Sequence, residues 1–232
     1  MPSVISIVAG ILLIILIIYL ISWMFRGSGK LTKLSSATST QTLDGRSAST
    51  GNSSNYAYSI WFNVSDWNYR YGEKKTIFER GGKNGCISLS LGATENNLLI
   101  QTGLHSFGDD LQVESVNVER LQNIPLQRWV NVLVSVYGRT MDIYLDGKLT
   151  RSVVLPALPK TCGESEIKIT PDGGFKGHTS SLRIWQHALN PQEAYDVYAG
   201  GFGGSLFGAL FNKYRLKLSI LDGNEEKGSV EI

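Results

Sequence analysis

Hydrophobic positions recur along this chain in three different ways. Val4 to Phe25 reads VISIVAGILLIILIIYLISWMF, an apolar run without a single charge. At about 1.5 Å per helical residue it would extend roughly 33 Å, enough to cross the hydrocarbon core of a bilayer. A cleaved signal peptide wants a basic start, a shorter run and a small-residue cleavage site. Met1-Pro2-Ser3 and Ser22-Trp23-Met24 offer neither the start nor the site. The run predicts a retained transmembrane helix bounded by Val4 and Phe25.

From Tyr56 the apolar period becomes two. Tyr58, Ile60, Phe62 and Val64 alternate with Ser59, Trp61 and Asn63, as in a strand with one buried face. Short strands are predicted at Thr76–Glu79, Cys86–Leu91, Leu98–Gln101, Gln112–Val118, Met141–Leu145, Lys148–Leu155, Glu166–Ile169 and Gly177–Gln186. The longest, Trp129–Tyr137, carries Val130, Val132, Val134 and Val136 on one face. Asp146-Gly147 is the strongest hairpin signal. About ten short strands separated by turn residues predict an antiparallel sandwich rather than a βαβ fold.

The third period is helical and brief. Asn190-Pro191-Gln192-Glu193 is a capping box, followed by the apolar stripe Ala194, Val197 and Tyr198 and closed by Gly200-Gly201. Beyond it lies a Gly-rich stretch containing Phe202, Leu206 and Phe207. Tyr214, Leu216, Leu218 and Ile220 then alternate with polar residues, Asp222-Gly223 turns, and Gly228–Ile232 returns. A terminal hairpin with one apolar face must pack on its own sandwich or on a partner.

The expected organisation is a membrane anchor over residues 1–25, a linker over 26–55, a sandwich over 56–199 and a tail over 200–232. The linker is dominated by Ser, Thr and Gly, so it should be flexible or pinned against a neighbour. Arg26, Lys30 and Lys33 follow the apolar run, and the positive-inside bias then sets the carboxyl-terminal domain on the cytoplasmic side. A net charge of +2 gives no case for nucleic-acid binding. Cys86 and Cys162 are too few for a disulfide framework and read as free thiols; His105, His178 and His187 lack metal-ligand spacing. The sequons at Asn52 and Asn63 would matter only outside the cytoplasm.

Three stretches together resemble a family. Tyr58-Ser59-Ile60-Trp61-Phe62 is similar to the first core strand of concanavalin A-like, laminin-G-type domains. Trp129-Val130-Asn131-Val132, then Met141-Asp142-Ile143-Tyr144-Leu145-Asp146-Gly147, resembles their central hairpin. Gly177 and Leu182-Arg183-Ile184-Trp185, followed by Ala188-Leu189-Asn190-Pro191 and Glu193, resemble the closing strand and helix. The resemblance implies an all-β jelly-roll sandwich with one short C-terminal helix, here preceded by a single transmembrane helix. A membrane anchor before such a domain is also similar in architecture to membrane proteins of large DNA viruses.

Glycosidases of this superfamily place Glu-x-Asp-x-(x)-Glu on one strand, and no such run occurs here. Glu164-Ser165-Glu166 sets two carboxylates on one face of a strand but lacks the intervening Asp, so catalysis is not expected. Some relatives hold calcium; the candidates for it are Asp109, Asp110 and Asp172, and no other cofactor is implied. Trp67, Tyr69 and Tyr71 are the candidates for stacking on a glycan. Two functions are therefore carried forward. One is a structural tether between a membrane and a neighbouring protein layer, such as a virion membrane and its capsid, with Tyr214, Leu216, Leu218 and Ile220 as the partner contact. The other is a membrane-bound lectin. Membrane lipid is a partner of the N-terminal run in both.

Overall fold

Val130, Val132, Val134 and Val136 are all fully buried on one face of the strand Trp129–Tyr137. The structure is a computed structural model that describes residues 31–48, 53–82, 85–105, 116–203, 217–222 and 225–231. The anchor from Val4 to Phe25, Asp109, Asp110, Tyr214 and Leu216 lie outside the described residues. Among those described, no helix is long and apolar enough to cross a membrane.

The described strands are β1 (Ser35–Ser36), β2 (Gln41–Leu43), β3 (Tyr56–Asp66), β4 (Lys75–Arg80), β5 (Ile87–Leu91), β6 (Asn97–Gly103) and β7 (Val116–Gln122). They continue with β8 (Trp129–Tyr137), β9 (Thr140–Leu145), β10 (Lys148–Val154), β11 (Ile167–Ile169), β12 (Lys176–Trp185), β13 (Lys217–Asp222) and β14 (Glu225–Glu231). Among the described residues one α-helix, α1, spans Pro191–Ala199. Sheet A has the order β1-β12-β3-β8-β9-β10 and sheet B the order β2-β11-β4-β5-β6-β7; among the described residues β13 pairs with β14 alone. All the sheet pairings are antiparallel.

The core lies between the two sheets. Tyr58, Ile60, Phe62 and Val64 of β3 join the β8 valines from one side. Ile77 and Phe78 of β4, Leu89 of β5 and Ile100 of β6 close from the other. Register is fixed because a one-residue slip would turn each of these apolar sets to the outside.

Four expectations change. Residues 35–43, whose composition reads as linker, form β1 and β2, one in each sheet; backbone pairing with β12 and β11 supplies what their small side chains cannot. The strand expected to end at Val118 continues to Gln122, where pairing with β6 extends it and Leu121 is buried; residues 112–115 of that expectation lie outside the described residues. Glu164 lies in a turn and Glu166 in the irregular chain just before β11, so they do not share a strand face; Glu164 pairs with Arg46 and Glu166 with Lys168. Cys86 and Cys162 are not free thiols but a disulfide, with Cα atoms 5.6 Å apart. Strand order brings them together across β4, and order across a sheet cannot be read from sequence spacing. The helix matches its capping box: the Glu193 amide donates to Asn190 Oδ1 at 3.0 Å, and the Asn190 amide to Glu193 Oε2 at 2.8 Å.

A candidate interaction edge

The outer face of sheet A is sealed by the chain itself. Trp61 is buried beneath Tyr198 of α1, ring centroids 5.6 Å apart, and Trp129 stacks on Phe202 at 4.4 Å. Gly147, with φ +73°, lets the β9–β10 turn approach the helix: a Cβ there would stand 2.9 Å from Tyr198 Cβ. Phe202 is held by its carbonyl as well, which accepts from the hydroxyls of Ser180, at 2.9 Å, and Ser181. Ser181 adopts φ +51° where the β12–β3 register shifts.

The incoming chain is fastened at the same place. The Leu31 amide donates to the Leu182 carbonyl at 2.8 Å, and the Leu182 amide to Thr32 Oγ1 at 3.0 Å. Ser180 to Leu182 thus hold both the chain that enters the sandwich and the chain that leaves it.

The aromatic candidates lie on the loop after β3. Trp67 is half-buried against the core, and the Lys75 ammonium sits 4.7 Å from its ring centroid. That ring is therefore partly occupied by a cation–π contact. Tyr69 is half-buried; Tyr71 is 60% exposed and is the open ring of the three. The loop meets the turn that contains Asp172, since Arg70 Nη1 donates to the Gly174 carbonyl at 3.3 Å. Among the described residues no three metal-ligating side chains gather.

Strand β4 carries a buried cation at each end. Arg80 donates to Tyr58 Oη at 2.9 Å and to the carbonyls of Gly163 at 2.6 Å and Ser165 at 3.3 Å. Lys75 Nζ is buried with no hydrogen-bond partner among the described residues. Burial, and next the Arg70 charge, lower the pKa of Lys75 below the usual lysine range. Folding then releases a proton that the unfolded lysine would keep. Stability should rise with pH between the lowered value and the ordinary lysine value. Lys75→Met is expected to raise stability by roughly 1–3 kcal/mol, the order of an unsatisfied buried polar group, and to flatten that alkaline rise. Urea titrations across alkaline pH test both expectations.

Among the described residues, β7 and β10 are edge strands on the same side of the sandwich. β7 ends sheet B and β10 ends sheet A, and Arg151 of β10 reaches Glu119 of β7 at 3.1 Å. Between them runs a cleft of about 440 Å³ lined by Arg120, Leu121, Gln122, Leu145, Thr150 and Arg151. Leu121 and Leu145 give it apolar surface, and Arg120 and Arg151 give it guanidinium groups. Arg120 spends one contact on Glu95 at 3.5 Å. Each guanidinium has five N–H donors, so one such contact leaves it most of its capacity. Val118 and Leu149 on the flanking edges are more than half exposed. The opposite side of the sandwich is closed by β1 and β2, the strands nearest the amino terminus. The expected glycan-stacking residues are not part of this cleft. Sequence reasoning missed the cleft because its two walls come from strands some thirty residues apart. The available signal was Lys148 and Arg151 on a strand with no clean alternation, which marks a sheet edge.

Two six-stranded antiparallel sheets packed around one core, with a capped helix against the outer face of one of them, define a lectin-like sandwich. Residues 35–194 match the sequence model of the laminin G branch of the concanavalin A-like lectin/glucanases superfamily, and the chain belongs to that superfamily. No match is found among curated protein sequences. Solved structures agree on the fold. The receptor binding domain of botulinum neurotoxin C/D mosaic serotype superposes with a TM-score of 0.55 at 16% identity, covering 77% of this chain and 47% of its own. The serotype D/C VPI 5993 binding domain gives 0.54 at 12% identity, covering 77% and 50%. The binding domain of neurotoxin DC in complex with rat synaptotagmin II gives 0.50 at 15% identity, covering 66% and 39%; the same domain in complex with SialylT gives 0.50 at 14%, covering 63% and 35%. The chain spans half or less of each of these domains.

Proposed function

We propose that this chain is a non-enzymatic recognition module, held at a membrane by residues 4–25, that presents the β7–β10 edge to a partner. The supporting observation is the opposition of the two sides of the sandwich. The chain enters at β1 and β2, and the arginine-lined cleft lies five strand spacings away, about 24 Å at the usual separation. Phe25 is six residues from Leu31, a reach of about 20 Å when extended. An anchored sandwich would hold β1 and β2 near the lipid and turn the cleft away from it. Structural neighbours solved with a protein and with SialylT support recognition as the work of this class of domain.

Two features bear on the compartment. Arg26, Lys30 and Lys33 favour the cytoplasmic side. The Cys86–Cys162 disulfide favours an oxidising one, because cytosolic thiol pools keep such pairs reduced. Reduction would act on every copy, whereas three cations bias insertion only modestly. The reading adopted is therefore a domain on the oxidising side that recognises a protein or glycan there. The second reading, favoured by the basic flank, is a cytoplasmic-side tether between a membrane and an adjacent protein layer, as between the internal membrane and shell of a large virus.

A membrane-impermeant protease added to sealed vesicles from the native source separates the two. The expected result is a protected domain that migrates faster without reductant. A digestible domain whose thiols alkylate without prior reduction would replace the first reading with the second.

A further inference from the structure

A guanidinium without a partner stands where the chain enters the sandwich. Arg183 follows Leu182, whose carbonyl and amide fasten Leu31 and Thr32. Its register partner on β3 is Ser59, which alternates with the core residues Tyr58 and Ile60, so Arg183 belongs to the outer face of sheet A. The residue is partly buried, and its Nε is shut off from solvent with no hydrogen-bond partner among the described residues. Among those residues no ion pair reaches it either. Burial lowers its pKa below the usual arginine value, yet a guanidinium stays charged in a protein. A cation partly withdrawn from water and paired with nothing is costly, and five N–H donors are available to an anion. The chain beside it brings none. The first carboxylate in the sequence is Asp44, and none occurs from Val197 to Leu221. The stretches that run into and out of the sandwich at Ser180 to Leu182 are therefore free of acid. The incoming one carries Arg26, Lys30 and Lys33 instead.

We infer that Arg183 receives the phosphate of an anionic lipid headgroup, with Lys33 adding charge and Leu34 apolar contact. Position points to this anion. Phe25, the end of the apolar run, is six residues from Leu31, a reach of about 20 Å when extended. Lys33 and Leu34 lie on the segment that follows β12 from Leu31 to Ser36; Lys33 is exposed and Leu34 is 57% exposed. Exposed cations beside an exposed leucine suit the headgroup region of an anionic bilayer. A guanidinium binds phosphate through parallel N–H donors, and anchoring keeps headgroups at high effective concentration around the domain. The contact would turn a point of attachment into a fixed orientation, with the β1–β12 side on the lipid and the β7–β10 edge away from it.

This inference rests on residues 4–25 lying in a bilayer, but not on the compartment or on the β7–β10 edge. Full-length chain would be placed in nanodiscs of phosphatidylcholine, or of an equimolar mixture with phosphatidylglycerol, and its thermal midpoint read by tryptophan fluorescence. The wild type is expected to melt at least about 3 °C higher in the anionic discs, since a ligand of the native state alone stabilises it. Arg183→Gln should lose most of that rise, and in neutral discs should melt no lower than the wild type, because it gives up no partner. Arg183→Lys should keep part of the rise, as a point charge in place of a planar fork. Lys148→Gln, which removes a cation from the far edge of sheet A, should keep all of it. Equal wild-type midpoints in the two discs would overturn the inference. So would a rise that Arg183→Gln retains, which is a general effect of surface charge, and an Arg183→Gln chain that melts lower in neutral discs, which reveals a partner inside the protein. A rise reproduced by inorganic phosphate in neutral discs would make the site one for a free anion and not for lipid. A chain that enters neither disc would refute the anchor, and this inference with it; each of the other failures leaves the anchor standing.

Discussion

Replacing Cys86 and Cys162 together by alanine is expected to destabilise the sandwich by about 4.5 kcal/mol, from the loop-closure entropy of the separation of 76 residues that the bond spans. For a domain of this size that lowers the thermal midpoint by roughly 10–18 °C. The position of the bond explains why the loss should be felt. Cys86 immediately precedes β5, and Cys162 lies in the segment that leads to β11. β11 and β5 flank β4 on its two sides, so the bond crosses over β4 and joins its neighbours. Between the two cysteines the chain crosses into sheet A, builds β8, β9 and β10, and returns. Without the bond, that returning segment is held in sheet B by the three-residue pairings of β11 with β2 and β4, by Arg80 and by scattered backbone hydrogen bonds such as Gly81 to the Glu166 carbonyl. Urea unfolding with and without reductant measures the effect. Equal midpoints for the wild type under both conditions would remove the bond from the stability of the domain.

Arg80→Met is the second large effect, at about 3–5 kcal/mol. Arg80 is fully buried and bonds Tyr58 and the carbonyls of Gly163 and Ser165, so it fastens the same segment as the disulfide. Methionine fills much of the volume but leaves the two carbonyls and the tyrosine hydroxyl without that donor. Lysine should fare little better, because one ammonium cannot reproduce a planar fork that reaches three acceptors. Since both devices hold residues 162–166, the Arg80 and cysteine substitutions should not add; a coupling of 0.5–3 kcal/mol is expected for groups sharing one segment. A double-mutant cycle by urea unfolding measures it. Strict additivity would mean that the two act on different parts of the fold.

The strands that stand out by alternation were found nearly where they are. β3, β8 and β9 carry clean period-two patterns because each lies inside sheet A with one face on the core and one on a different environment. The helix was legible from four residues, because a capping box is satisfied locally and needs no partner element. What failed was local reasoning about segments whose order is supplied from elsewhere. β1 and β2 have no apolar pattern, and their backbones are paired by β12 and β11, more than a hundred residues away. β7 sits at an edge, where one face is only partly buried and the alternation weakens, so its register could be read only from β6.

The same division holds for the candidate site. Chemistry that sits on consecutive residues was visible: the aromatics of Trp67 to Tyr71, the absence of a glycosidase carboxylate run, the alternation of apolar and polar residues in the tail. The sequence by itself determined an all-β chain with a lectin-like hairpin and closing helix, and an apolar run long enough for a bilayer. Only the tertiary structure decided that Cys86 meets Cys162, that Arg80 and Lys75 lie inside, that the incoming and outgoing chain share one bulge of β12, and that Arg120 and Arg151 face one cleft. The reason is physical. Alternation and capping are set by the nearest few residues along the chain. A disulfide or a cleft is set by which strands become neighbours, and that is fixed by the packing of the whole core.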